Sequence, residues 1–173
     1  MRDAQRQECG GNAWLRREGL ALLTDFYELT MMAGHLKDGR TRLRATFEYF
    51  FRSLPSQAGF AVAAGLGPFL DYLEHLRFND DDVAYLASLN MFDREFLEYL
   101  RAYRPHFSVR ALPEGSVVFP HEPVVQVEGT VFETQLIETA LLNMLNYQTL
   151  IATKAARVCL AAGDDPVMEF GLR

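Results

Sequence analysis

The run Leu23 to Met32, LTDFYELTMM, sets an acidic residue, an aromatic ring and two methionines at the start of one short helix. Asp25 and Glu28 have the D-x-x-E spacing of a capping box, which starts a helix there and points its first amide dipoles outward beside Tyr27. A ring at a helix N-terminus can stack on a flat ligand or stand beside a bound anion. For a tyrosine in an amphipathic helix the ordinary reading is a partly buried packing residue. Helical spacing separates Phe26, Leu29, Ala33 and Leu36 as a face to bury from Tyr27, Met31 and Gly34 at i, i+4 and i+7.

Two other stretches carry residue types that suggest chemistry, and each has a plain structural reading. Gly59 to Pro68 (GFAVAAGLGP) holds a G-x-G pair, the kind of loop whose amides cradle phosphate. No third Gly, Lys or Ser/Thr follows at the needed spacing, so Gly67-Pro68 reads as an N-cap followed by Pro at the first helical position. Asp80, Asp81 and Asp82 resemble a metal-binding cluster, but after Asn79 they are carboxylates in the first turn of a helix, where the macrodipole favours them.

The elements around these residues follow from periodicity and breakers. Asp38-Gly39-Arg40 marks a turn. Arg44 to Arg52 alternates, with Phe47, Tyr49 and Phe51 on one face, as a half-buried strand does. Helices are predicted over Pro68 to Leu76, after Asn79, and over Asp93 to Tyr103, the last stopped by Pro105. Pro113-Glu114-Gly115 and Pro120 to Pro123 are turns framing strands at Ser116 to Phe119 and Val124 to Val127, which predicts a β-hairpin. From Phe132 to Ala162 no breaker occurs, so one helix of roughly 45 Å is predicted. Thr139, Asn143, Asn146, Thr153 and Arg157 form a polar stripe on it, whose partners are solvent, a second subunit or the floor of a site. Gly163 to Pro166 turns the chain, and Val167 onward has strand character.

Composition bounds the function classes. With 49% hydrophobic and 12% aromatic residues, 173 residues can fill the core of a domain. A net charge of −6 argues against non-specific nucleic-acid binding, which needs a dense cationic surface. Cys9 and Cys159 suggest neither a disulfide framework nor a metal knuckle, so the reducing cytoplasm is the expected setting. The polar start, MRDAQRQECGGNAW, lacks the apolar core of a signal peptide and reads as a disordered leader. No apolar run is long enough to span a membrane.

Five motifs in consistent order carry a family resemblance. Thr24, Asp25, Tyr27, Thr30 and Met31 match T-D-x-Y-x-x-T-M, and Phe47, Phe50, Phe51 and Arg52 match F-x-x-F-F-R. Glu114 to Gly129 matches E-G-x-V-x-F-P-x-E-P-V-x-x-V-x-G. Asn143, Thr149, Ala152, Thr153, Lys154 and Arg157 lie in register with a helix motif, and Glu169, Phe170, Gly171 and Arg173 match [DE]-F-G-x-R. Together these resemble the N-terminal portion of the nicotinate phosphoribosyltransferases.

The resemblance implies an α+β N-terminal domain followed by the beginning of an incomplete, TIM-like α/β barrel. The division is a disordered leader over 1–14, the α+β domain over 15–131, a long connecting helix over 132–162 and the first barrel strand over 163–173. A whole barrel takes about 250 residues, so most of one is absent. The implied reaction joins nicotinate to phosphoribosyl pyrophosphate with ATP hydrolysis and Mg²⁺. Tyr27, Phe170 and Arg173 are the implied substrate-binding residues, the two rings as jaws on the pyridine and Arg173 as a cation for the phosphates. The family Tyr serves the other subunit's site, implying a homodimer. The family's phosphorylated His lies downstream of the barrel's start, so His35, His75, His106 and His121 are not that residue, and no catalytic residue or metal ligand is assigned in this chain. Nicotinamide or quinolinate phosphoribosyltransferase, and a non-catalytic dimerisation module, are the alternatives.

Overall fold

The computed structural model describes residues 19–54 and 59–171. The expected leader over 1–14 and the proposed cation Arg173 lie outside the described residues. The first helix, α1, spans Phe26–Lys37, and the strand β1 spans Arg44–Tyr49. A two-residue strand β2 (Ala61–Val62) leads into α2 (Leu66–His75), α3 (Asp80–Ser88) and α4 (Arg94–Ala102). The strands β3 (Ser108–Ala111), β4 (Val117–Val118) and β5 (Val125–Thr130) follow, then α5 (Val131–Leu136) and α6 (Glu138–Ala162).

Three of the six described helices have starts written in local side-chain chemistry. Asn79 accepts from the Asp82 amide while Asp82 reaches back to the Asn79 amide, a closed capping box that accounts for the acidic run. Asp93 caps α4, and Thr130 with Glu133 caps α5. At α2 the cap is Gly65, two residues before the expected Gly67, and its φ of 102° lies where only glycine is comfortable. A Cβ there would stand 2.5 Å from the Met144 carbonyl oxygen, so Gly65 also permits close packing of α2 on α6. The suspected phosphate loop is already filled. The Glu114 carboxylate accepts from the amides of Gly65 at 2.8 Å and Gly67 at 3.2 Å, an internal anion where an external one was considered.

The strands pair differently from the hairpin expected at 116–127. β5 is the centre of an antiparallel sheet of order β1-β5-β3, whereas β4 pairs with β2 in a separate two-stranded sheet. The Pro120 to Pro123 turn, with His121 at a φ of 65°, passes the chain from one sheet to the other. Local patterning shows two strands but cannot show which partner each takes. Tyr49 opposite Val125 and Phe47 opposite Val127 put alternate side chains on the face that α5 covers.

The helix expected as one from Phe132 is two, joined at Ile137, whose φ and ψ of −90° and −5° interrupt the regular geometry. The break lets α5 lie on β1, β5 and α1 while α6 runs on to pack against β2 and α2. Phe132, Leu136, Phe69, Phe96 and Leu100 are among the fully buried core side chains. Beyond α6 the expected strand over 163–173 is not formed: 164–171 adopt no regular structure. Val167, Met168 and Phe170 have no neighbouring strand to bond and are 48%, 82% and 91% exposed. The strand propensity is real, but a strand exists only by pairing.

Candidate functional site

The start of α1 is held from outside rather than by its own capping box. Asp25 has the extended backbone of an N-cap, yet its side chain makes no cap bond. Its amide donates instead to Thr139 Oγ1 on α6 at 3.0 Å. Glu28 does not turn back to the helix start. It is fully buried with Leu29 and Met32, and neither of its carboxyl oxygens has a partner in hydrogen-bonding geometry. The face that goes inward is therefore Glu28, Leu29 and Met32, while Phe26 stays 44% exposed and packs edge-on to Phe92.

That rotation leaves Tyr27 outward, 50% exposed, at the open end of the helix. Its phenol is pushed up to about 12, first by its approach to the Glu28 carboxyl and then by lost hydration and the negative charges of Glu28, Glu138 and Asp25. Glu28 is raised as well, chiefly because burial disfavours its charge and because Glu138 and Asp25 repel it. Tyr27 and Gln135 work in the opposite direction on it. Behind them, Gln135 Oε1 lies 3.2 Å from His35 Nε2, and Gln135 Nε2 donates to Met31 Sδ at 3.2 Å. Glu28, Gln135 and Glu138 are neighbours of this helix start that patterning does not show. The available signal was a Glu one residue before Leu29 and four before Met32, inside the buried stripe.

The polar stripe of α6 divides by partner. Thr139 holds α1, Asn146 accepts from the Tyr49 phenol at 2.9 Å, and Thr153 accepts from the Val62 amide at 2.9 Å. Three of the five residues thus dock α6 onto the rest of the domain. Asn143 and Arg157 are exposed, and Asn143 lines a shallow groove with Asp25, Thr139 and Tyr147. The groove shares Leu142 and Asn146 with a deeper cleft of about 460 Å³ whose wall includes Phe47, Tyr49 and Phe50. That volume is within the usual range for small-molecule sites.

The structure does not bring the two proposed jaws together: Phe170 makes no ring contact among the described residues. Among those residues no group of three or more His, Cys, Asp or Glu side chains is disposed to hold a metal ion. No described helix is long and apolar enough to cross a membrane.

Fold and geometry define a class, a mixed α/β domain that presents an aromatic ring at a helix start beside an open groove. The chain belongs to the nicotinate phosphoribosyltransferase (NAPRTase) N-terminal domain family, whose model matches residues 22–146. It is 46% identical to nicotinate phosphoribosyltransferase of Bacillus subtilis (strain 168) over 156 residues, which cover 90% of this chain and 32% of that protein. The human nicotinate phosphoribosyltransferase is also 46% identical, over 88% of this chain and 29% of its own length. The crystal structure of human nicotinic acid phosphoribosyltransferase superposes with a TM-score of 0.80 over 88% of this chain and 31% of that one. Nicotinate-nucleotide pyrophosphorylase from Pyrococcus furiosus, 26% identical, gives 0.65 over 93% of this chain and 34% of that one. The chain thus spans about a third of the length of the relatives it matches.

Proposed function

We propose that this chain is the N-terminal portion of an enzyme that joins nicotinate to phosphoribosyl pyrophosphate, yielding nicotinate mononucleotide for NAD salvage. The observation that carries the reading is Tyr27, a ring left half in solvent at a helix start within the matched residues. In this reaction the pyridine nitrogen attacks the anomeric carbon, pyrophosphate leaves, and positive charge develops on the sugar. No protein nucleophile is needed. The protein supplies a flat aromatic surface to aim the base and cations for the leaving group. Tyr27 takes the first role, with Phe170 as the second ring and Arg173 as a cation. Mg²⁺ would be held by the substrate phosphates and by residues elsewhere in the parent polypeptide. The site is shared across a homodimer, and ATP hydrolysis is coupled from residues outside this chain.

The test compares the 173-residue chain with the complete polypeptide that carries it, each supplied with nicotinate, phosphoribosyl pyrophosphate, Mg²⁺ and ATP. Turnover by the complete polypeptide and none by the short chain is the expected result; turnover by the short chain would sink the fragment reading. Nicotinamide and quinolinate, offered in competition, decide the base. If either outcompetes nicotinate, the substrate assignment is wrong.

A further inference from the structure

The start of α1 has no cap of its own. The first amides of any helix lack partners within it, and the N-cap side chain ordinarily answers one of them and holds the first turn against fraying. The Asp25 side chain makes no cap bond, and Glu28, three residues on, is buried with the core face of the helix. Most of α1 lies along α5, but its start is met by α6. Thr139 Oγ1 accepts from the Asp25 amide at 3.0 Å, a tie across 114 residues of sequence. Among the described residues it is the one hydrogen bond that joins the α1 start to α6.

Two features of this tie bear on Tyr27. Thr139 is the second residue of α6, directly after the joint at Ile137 where the helix geometry is interrupted. The joint that lets α5 cover the sheet thus also sets the Thr139 hydroxyl against α1. Tyr27 stands two residues after the tied amide, and its own carbonyl accepts from Thr30 Oγ1 at 2.8 Å. With half of its surface in solvent, the ring takes its direction from the backbone that carries it, because the allowed rotamers follow φ and ψ.

We propose that Thr139 is a positioning residue for Tyr27: by holding the Asp25 amide it fixes the first turn of α1 and so the direction in which the ring presents its face. A first turn free to fray would let the ring sample several rotamers, and that freedom would be lost again at each binding event. A tie from a second, rigid helix orders the ring before the ligand arrives. Thr139 touches no reacting atom. The inference rests on the reading of Tyr27 as a base-stacking residue. Thr153 supplies the comparison within α6: its Oγ1 accepts from the Val62 amide at 2.9 Å, the same kind of bond, about 21 Å further along the helix at 1.5 Å per residue and remote from Tyr27.

Two measurements test this, with circular dichroism as the check on folding. The first is NMR of the 173-residue chain, reading exchange of the Asp25 amide and the Hα–Hβ couplings of Tyr27. Thr139→Val keeps the branched shape and removes the acceptor; it speeds that exchange by about tenfold or more and averages couplings that in the wild type report one rotamer. Thr139→Ser, which keeps the hydroxyl, restores both. Couplings that stay unaveraged in Thr139→Val overturn the proposal, whatever the exchange does.

The second measurement assays the complete polypeptide for nicotinate. Thr139→Val raises KM about fivefold while kcat falls less than about twofold, and Thr139→Ser recovers most of the loss. Thr153→Val lowers the melting temperature and leaves KM unmoved. If Thr153→Val raises KM as much as Thr139→Val does, loosening of α6 explains both and positioning is refuted. If Tyr27→Ala raises KM and Thr139→Val does not, positioning is refuted as well. If Tyr27→Ala leaves KM unmoved, the stacking reading fails, while the couplings still decide whether Thr139 fixes the ring.

Discussion

A buried carboxyl has a stability that depends on pH, and Glu28 makes the dependence measurable. Its folded-state pKa is raised above the ordinary 4.5, chiefly by burial, so the folded chain holds that proton more tightly than the unfolded one. Below the unfolded value both states are protonated and the group is neutral in the balance; as pH rises through the raised value, stability is lost. Glu28→Gln has no such proton. Thermal melts should therefore show the variant gaining on the wild type as pH rises above the ordinary 4.5, and a constant gap would mean that Glu28 is solvated. Tyr27 makes a separate prediction in the complete polypeptide. Loss of one stacked pair, about 0.5–1.5 kcal/mol beyond its burial, should raise KM for nicotinate by about two- to tenfold or more in Tyr27→Ala. Unchanged kinetics would return Tyr27 to packing.

At the scale of elements, the joints carry the most testable energetics. Glu114 bonds two amides at the start of α2, so Glu114→Ala should cost about 1–3 kcal/mol, read by urea unfolding. Gly65→Ala should cost at least as much, because its backbone is left-handed and its Cβ would meet the Met144 carbonyl. A Gly65→Ala chain as stable as the wild type would show that α2 and α6 do not approach as described. These joints also mark what was legible beforehand. The caps at Asn79 and Asp93 were readable because both partners lie within three residues. The pairing of β4 with β2 was not, since nothing near Val117 names a partner some 55 residues away. Nor was the break at Ile137, which serves two packing surfaces rather than any local breaker. Glu28 was misread for a subtler reason. The letters D-x-x-E fit a capping box and a buried stripe equally, and only the rotation of α1 against α5 chooses between them. Phe170 and Arg173 rested on motif alone, and the structure gives Phe170 no neighbour to test it.

The whole molecule is asymmetric in its surface. One side of α6 is docked through Thr139, Asn146, Thr149 and Thr153, while Leu150, Ile151 and Val158, which fall within about 100° of arc beside it, are 44% to 47% exposed. Three apolar side chains on one face over about two turns make a patch rather than scattered singletons. The relatives it matches are about three times as long, so in the parent polypeptide the patch is available to the remaining two-thirds or to a second subunit. The short chain has neither covering by itself. It should bind a hydrophobic dye, and its mass by light scattering should rise with concentration. Replacing Leu150 and Val158 together with Lys should suppress both effects without lowering the melting temperature, since neither side chain belongs to the buried core. The same pair of substitutions in the complete polypeptide should do the opposite, introducing two charges into a covered surface and lowering its stability by about 2 kcal/mol or more. A dye-silent, monomeric short chain would show instead that the exposed side of α6 is an ordinary solvated surface, and that the remainder of the parent polypeptide docks elsewhere.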